Sequence, residues 1–103
     1  MKQAIGVRRL RDLDGIGRAM MEDFELLGVK GVPQLAREDP DELYERLCGI
    51  RKQRIDVCCL DTFRCAVAQA RNPALHPDLR KWWTWSRLRK SEPEKARAMA
   101  AGR

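Results

Sequence analysis

Leu13-Asp14-Gly15-Ile16-Gly17 puts two glycines within three positions, between two stretches of helical apolar spacing. A continuous helix does not run through such a segment, because each interior glycine costs about 1 kcal/mol relative to alanine and glycine readily adopts helix-ending conformations. The chain must turn tightly here. Upstream, Val7, Leu10 and Leu13 mark one side of a helical stretch. Downstream, Met20, Met21, Phe24 and Leu27 recur at spacings of three and four, which predicts a helix over 18–27. Gly28 stands where a left-handed helix-ending residue belongs.

The remaining punctuation also separates helices, and no stretch shows sustained strand alternation. Pro33 suits the first turn of a short helix over 32–36. Asp39-Pro40-Asp41-Glu42 reads as an N-cap, a first-position proline and the back half of a capping box. The helix it starts carries Leu43, Tyr44 and Leu47 and is expected to end near Cys48-Gly49, ahead of a basic loop over 50–55. Asp56 caps the next helix, whose expected buried side is Val57, Leu60, Phe63, Ala66 and Val67, and Asn72-Pro73 stops it. With 103 residues the chain is one domain's worth. The expectation is a compact all-α domain of about five helices over residues 1–90, followed by a basic tail over 91–103 that forms a short helix or frays.

Charge is uneven. Residues 1–70 hold 12 basic and 12 acidic side chains, so the whole net charge of +6 falls in residues 71–103. Such asymmetry suits contact with nucleic acid or an acidic partner, and equally a solvated surface segment. No apolar run approaches the roughly 18 residues of a membrane span. Met1–Arg9 lacks the apolar core of a secretory signal, so a cytoplasmic protein is expected.

Cys48, Cys58, Cys59 and Cys65 contain no C-x-x-C pair and read as small core side chains rather than metal ligands. Cys58 and Cys65, two turns apart, share a helix face. His76 reads as a loop residue. Trp82, Trp83 and Trp85 lie among Arg80, Lys81, Arg87, Arg89 and Lys90. That pattern suits stacking on single strands. Trp82 and Trp85 are three apart, however, and a small core needs large side chains, so at least two tryptophans are expected inside.

The glycine turn has chemistry of its own. The first N–H groups of a helix lack internal partners and the helix dipole is positive there, so a phosphate oxygen can dock. Gly15, Ile16, Gly17, Arg18 and Ala19 would form that site, with Arg18 adding charge and Ile16 pinning the turn to the core. Contacts of this kind reach backbone phosphate and read no base edges. A weak echo, Leu47-Cys48-Gly49-Ile50-Arg51, matches the turn at three of five positions. It is either a chance match or a degenerate second hairpin in which Arg51, Lys52 and Arg54 replace lost N–H contacts.

Leu13-x-Gly15-Ile16-Gly17, with Phe24 and Gly28 following, resembles the helix-hairpin-helix signature, although Met21 stands where that motif has a small residue. The resemblance implies phosphate contacts at residues 15–19, and carbonyls that in some members hold a monovalent cation. Together with Leu26-Leu27-Gly28-Val29, Asp39-Pro40-Asp41-Glu42-Leu43-Tyr44, Phe63-Arg64-x-Ala66-Val67 and Lys81-Trp82-Trp83-x-Trp85, the chain resembles the small bacterial "pathogenicity locus" family over about residues 10–86. Some relatives in that family bear a mitomycin-resistance label. The resemblance implies a SAM-like or tandem helix-hairpin-helix fold and supplies no catalytic residue.

The expected function is therefore a non-enzymatic, sequence-independent DNA-binding module that grips backbone phosphate at the 14–18 hairpin weakly, linked to DNA repair or damage tolerance. No cofactor, membrane or small-molecule substrate is expected. The alternative is a protein–protein interaction adaptor with the same fold and no direct DNA binding, which the balanced charge of residues 1–70 favours. An enzyme such as a glycosylase is disfavoured, because a flipped base needs a pocket and a poised acid–base group.

Overall fold

A computed structural model describes residues 8–102, and among them every regular element is helical. Six α-helices follow in order: α1 Arg18–Leu27, α2 Val32–Ala36, α3 Pro40–Arg51, α4 Cys58–Arg71, α5 Trp82–Ser91 and α6 Pro93–Ala100. Short 3-10 turns at Leu10–Asp12 and Pro77–Arg80 precede α1 and α5. The radius of gyration is 13.3 Å, the value of about 13 Å expected for a compact chain of this length.

The helical stretch expected to begin at Val7 is, in its described part, a single 3-10 turn, and Val7 itself lies outside the described residues. Asp12 explains the short element. Its Oδ2 accepts the Arg9 N–H at 2.8 Å, and its own N–H donates to Arg9 O at 2.9 Å. The carboxylate and the backbone of Asp12 thus both close the turn onto Arg9. Leu13 is extended, and Leu10 and Leu13 are both buried.

Helix α1 follows its apolar stripe as expected and ends at Gly28, which has φ +76°. Helix α3 starts at the Asp39 cap, where Oδ1 accepts the Asp41 N–H at 2.9 Å. It does not end at Cys48-Gly49. It continues to Arg51 and closes on Lys52 in left-handed conformation, φ +57°. Gly49 lies on the exposed side, where its cost of about 1 kcal/mol is outweighed by burial of Leu43, Leu47 and Cys48 beneath it.

Helix α4 is the centre of the fold, packed against α2, α3, α5 and α6. The expected one-sided burial is too narrow, because residues 63 to 70 are all buried. Phe63, Ala66, Val67 and Ala70 join a larger core with Phe24, Leu35 and Leu47, and the Phe24 and Phe63 rings lie 5.7 Å apart. Cys65 and Ala68 face a second core around Trp85 and Ala100. A helix wedged between two cores has no solvent side over those turns. Val57 and Cys58, at its start, project beyond both cores and are exposed, so Cys58 does not share the burial of Cys65.

Residues 93–100, set apart as tail by the sequence reading, are helix α6 and dock on the rest. Ala96 and Ala100 are fully buried. Arg97 Nε reaches Asp41 Oδ2 at 3.3 Å, and Arg71 donates to Ala100 O while also bonding Ala36 O and Glu38 O at the end of α2. Small alanines let α6 approach closely, and two arginines fix it.

Candidate nucleic-acid interface

The glycine turn is built as a short hairpin. Ile16 N–H donates to Leu13 O at 3.4 Å, and Gly15 at φ +85° occupies the region that disfavours a Cβ. Gly17 is extended and N-caps α1 without any side-chain cap. The first i→i−4 bond of the helix runs from Met21 N–H to Gly17 O at 3.0 Å. The N–H groups of the first turn, beginning with Arg18 and Ala19, precede that bond and have no capping side chain. Gly15, Gly17, Arg18 and Ala19 are exposed, while Ile16 is half-buried against the larger core.

The hairpin is held from behind by Gln69, which sequence reasoning missed. Its Oε1 accepts the Asp14 N–H at 2.8 Å, and its Nε2 donates to Asp14 O at 2.9 Å. Gln69 is 3% exposed. A glutamine inside the run Ala66-Val67-Ala68-Gln69-Ala70 was the available signal, since a buried amide must find partners. The Leu13 and Asp14 carbonyls are thus partly committed to the protein's own donors, and a monovalent cation at the hairpin would share them.

Arg18 carries no ion pair among the described residues. It borders a groove of about 410 Å³ between α1 and the loop after it, lined by Leu10, Met21 and Val29 with Glu22, Glu25 and Lys30 at its edges. Met21, the departure from the motif's small residue, packs partly against the larger core.

The expected second cluster is not a second hairpin. Leu47 to Arg51 are helical. Arg51 Nη2 bonds Asp23 Oδ1 at 2.8 Å and ties α3 to α1. Arg54 Nη1 reaches both Glu45 oxygens at 3.1 Å, and its guanidinium lies 5.8 Å from the centre of the Tyr44 ring. Of the three, Lys52 alone is without an ion pair among the described residues.

Much of the basic excess of the last third is structural too. Arg89 makes two bonds to the fully buried Asp61, at 2.9 and 3.0 Å. Arg71 caps α2 and α6, and Arg97 joins Arg64 on Asp41. Burial alone would raise the Asp41 carboxyl, but the Arg64 hydrogen bonds and charge, helped by Arg97, hold it below the usual value. Arg80 sits 3.7 Å from Asp14, Lys81 3.8 Å from Asp78 and Lys95 3.8 Å from Glu92. Arg87 and Lys90 remain without an ion pair among the described residues.

Trp85 is buried, and its Nε1 donates to Leu79 O at 2.8 Å. Trp82 is half-buried and packs against the second core, so one tryptophan rather than the expected two is fully inside. Trp83 is 51% exposed. Burial pushes the Cys59 and Cys65 thiols up to about 12, which leaves them protonated at neutral pH. His76 is exposed, and its Nδ1 accepts the Asp78 N–H at 3.1 Å. No helix among the described residues is long and apolar enough to cross a membrane.

Comparison with known proteins gives two matches. The family described as "pathogenicity locus" matches residues 3–91. The mitomycin resistance protein McrB of Streptomyces lavendulae is 37% identical over 91 residues, covering 88% of this chain and 77% of that protein. No solved structure matches.

Proposed function

The chain belongs to the pathogenicity locus family, and we propose that it is a non-enzymatic DNA-binding module of helix-hairpin-helix type, acting in the cytoplasm. In this reading the hairpin at 14–18 grips backbone phosphate. One observation carries it: the α1 N-terminus begins at a bare glycine cap on a turn clamped by Gln69, beside an Arg18 that has no ion pair among the described residues. A phosphate oxygen takes the open N–H groups and the positive end of the helix dipole. Preformed geometry lowers the ordering cost of that contact. Base edges are not read, so binding is sequence-independent. The name of the mitomycin resistance relative supports a role in damage tolerance.

The test is fluorescence anisotropy with labelled duplexes of unrelated sequence. With about two phosphates engaged, affinity should fall roughly tenfold between about 50 and 200 mM salt, equally for each sequence. Absence of binding at low salt would overturn the proposal. The apolar groove beside Arg18 supports a second reading, a protein-interaction adaptor, whose mark is association indifferent to salt.

A further inference from the structure

Helix α5 turns one face to the second core and leaves the other open. Trp85 is 1% exposed and Arg89 is held by Asp61. Trp83, Arg87 and Lys90 follow at spacings of four and three and are exposed, which places them on one face over about 10 Å of helix. No acidic residue occurs in α5. Asp14, Asp78 and Glu92 lie within 4 Å of Arg80, Lys81 and Lys95 respectively, and among the described residues no carboxylate lies within 4 Å of Arg87 or Lys90.

This face is continuous with the hairpin. A groove of about 280 Å³ is lined by Gly15, Lys81, Trp82 and Trp83 together with Asp14 and Arg80. A separate groove, of about 450 Å³, is lined by Thr84, Arg87, Leu88, Lys90 and Ser91 further along the same helix. The Trp82 and Trp83 rings meet nearly edge to face, at 6.0 Å and 86°, so Trp82, anchored in the second core, orients Trp83 while half of Trp83 stays open.

We propose that this face of α5 is a track for single-stranded DNA, on which Trp83 stacks an unpaired base and Arg87 and Lys90 hold the phosphates that follow. The inference rests on the hairpin reading and extends it, since a strand gripped at Gly15–Arg18 enters the track at Trp83. An indole stacks any base, and unpaired cations suit a polyanion. Interior bases of a duplex are stacked on both faces and offer none to Trp83, so the track favours frayed or single-stranded DNA over intact duplex.

The test compares labelled oligothymidylate with a labelled blunt duplex, for wild type, Trp83→Ala, Trp83→Phe and Arg87→Glu with Lys90→Glu. The substituted side chains are exposed, and thermal unfolding checks that each variant folds as wild type does. Trp83→Ala should weaken oligothymidylate binding about tenfold and change duplex binding less than about twofold, with Trp83→Phe retaining most of the single-strand affinity. The double charge reversal should weaken oligothymidylate binding and flatten its salt dependence. Unchanged oligothymidylate affinity in Trp83→Ala, or an equal loss on duplex, overturns the track while the hairpin reading stands. Wild type binding neither probe removes both.

Discussion

The side-chain amide of Gln69 grips the backbone of Asp14 from both sides, Oε1 accepting its N–H at 2.8 Å and Nε2 donating to its carbonyl at 2.9 Å. The two residues are 55 apart in sequence. The amide couples the central helix of the fold to an exposed turn, so the hairpin takes its shape from α4 as well as from its glycines.

Gln69→Ala should therefore lower stability by about 2 kcal/mol through two lost hydrogen bonds and a small cavity. Urea unfolding measures that change. Amide exchange should accelerate at Asp14 to Ile16 more than in α3. Equal protection of the hairpin in both proteins would show that Gln69 does not hold it.

Gly15→Ala tests the turn itself. A Cβ there meets nothing within 4 Å, so any cost comes from the backbone at φ +85°. That strain should destabilise the fold by about 1 kcal/mol, read as a lower midpoint in urea with an unchanged slope.

Gly49→Ala should do the reverse. Gly49 lies inside α3, and an added Cβ meets nothing within 4 Å. Stability should rise by about 0.5–1 kcal/mol, seen as a higher thermal midpoint. A fall would revive Gly49 as a turn glycine.

Asp41 accepts from Arg64 and Arg97 and joins α3 to α4 and α6. Its carboxyl titrates below the ordinary 3.8. The native state therefore binds this proton less readily than the unfolded chain, and the stability that follows is fully present above the unfolded value and lost as pH falls through the folded one. Asp41→Asn should flatten the acid limb of the stability curve. Asp41→Ala, which strands Arg64 at 5% exposure, should cost about 3 kcal/mol at neutral pH.

The local signals were readable because each acts within a few residues. Asp39-Pro40 starts α3, Gly28 ends α1, and the glycine pair makes the turn. Gly49 misled because the same residue that ends one helix is tolerated on the exposed side of another when the face beneath it is well packed. The docking of α6 and the pairing of Arg51 with Asp23 join residues far apart in sequence, and no local pattern encodes them. The basic third looked like a free cationic surface for the same reason: Asp41 and Asp61, which hold Arg97 and Arg89, lie outside it.

Gly17→Asp separates the phosphate site from the fold. Gly17 has φ −104°, an added Cβ meets nothing within 4 Å, and aspartate is a better N-cap than glycine by a few tenths of a kcal/mol. The variant should match or exceed wild type in urea, because its carboxylate takes the open N–H groups of α1. The same carboxylate would then occupy and repel the phosphate. Anisotropy with labelled duplex at about 50 mM salt is the direct measurement. Loss of binding in a variant at least as stable as wild type is the predicted result. Undiminished binding by that stable variant would contradict a phosphate site at the hairpin.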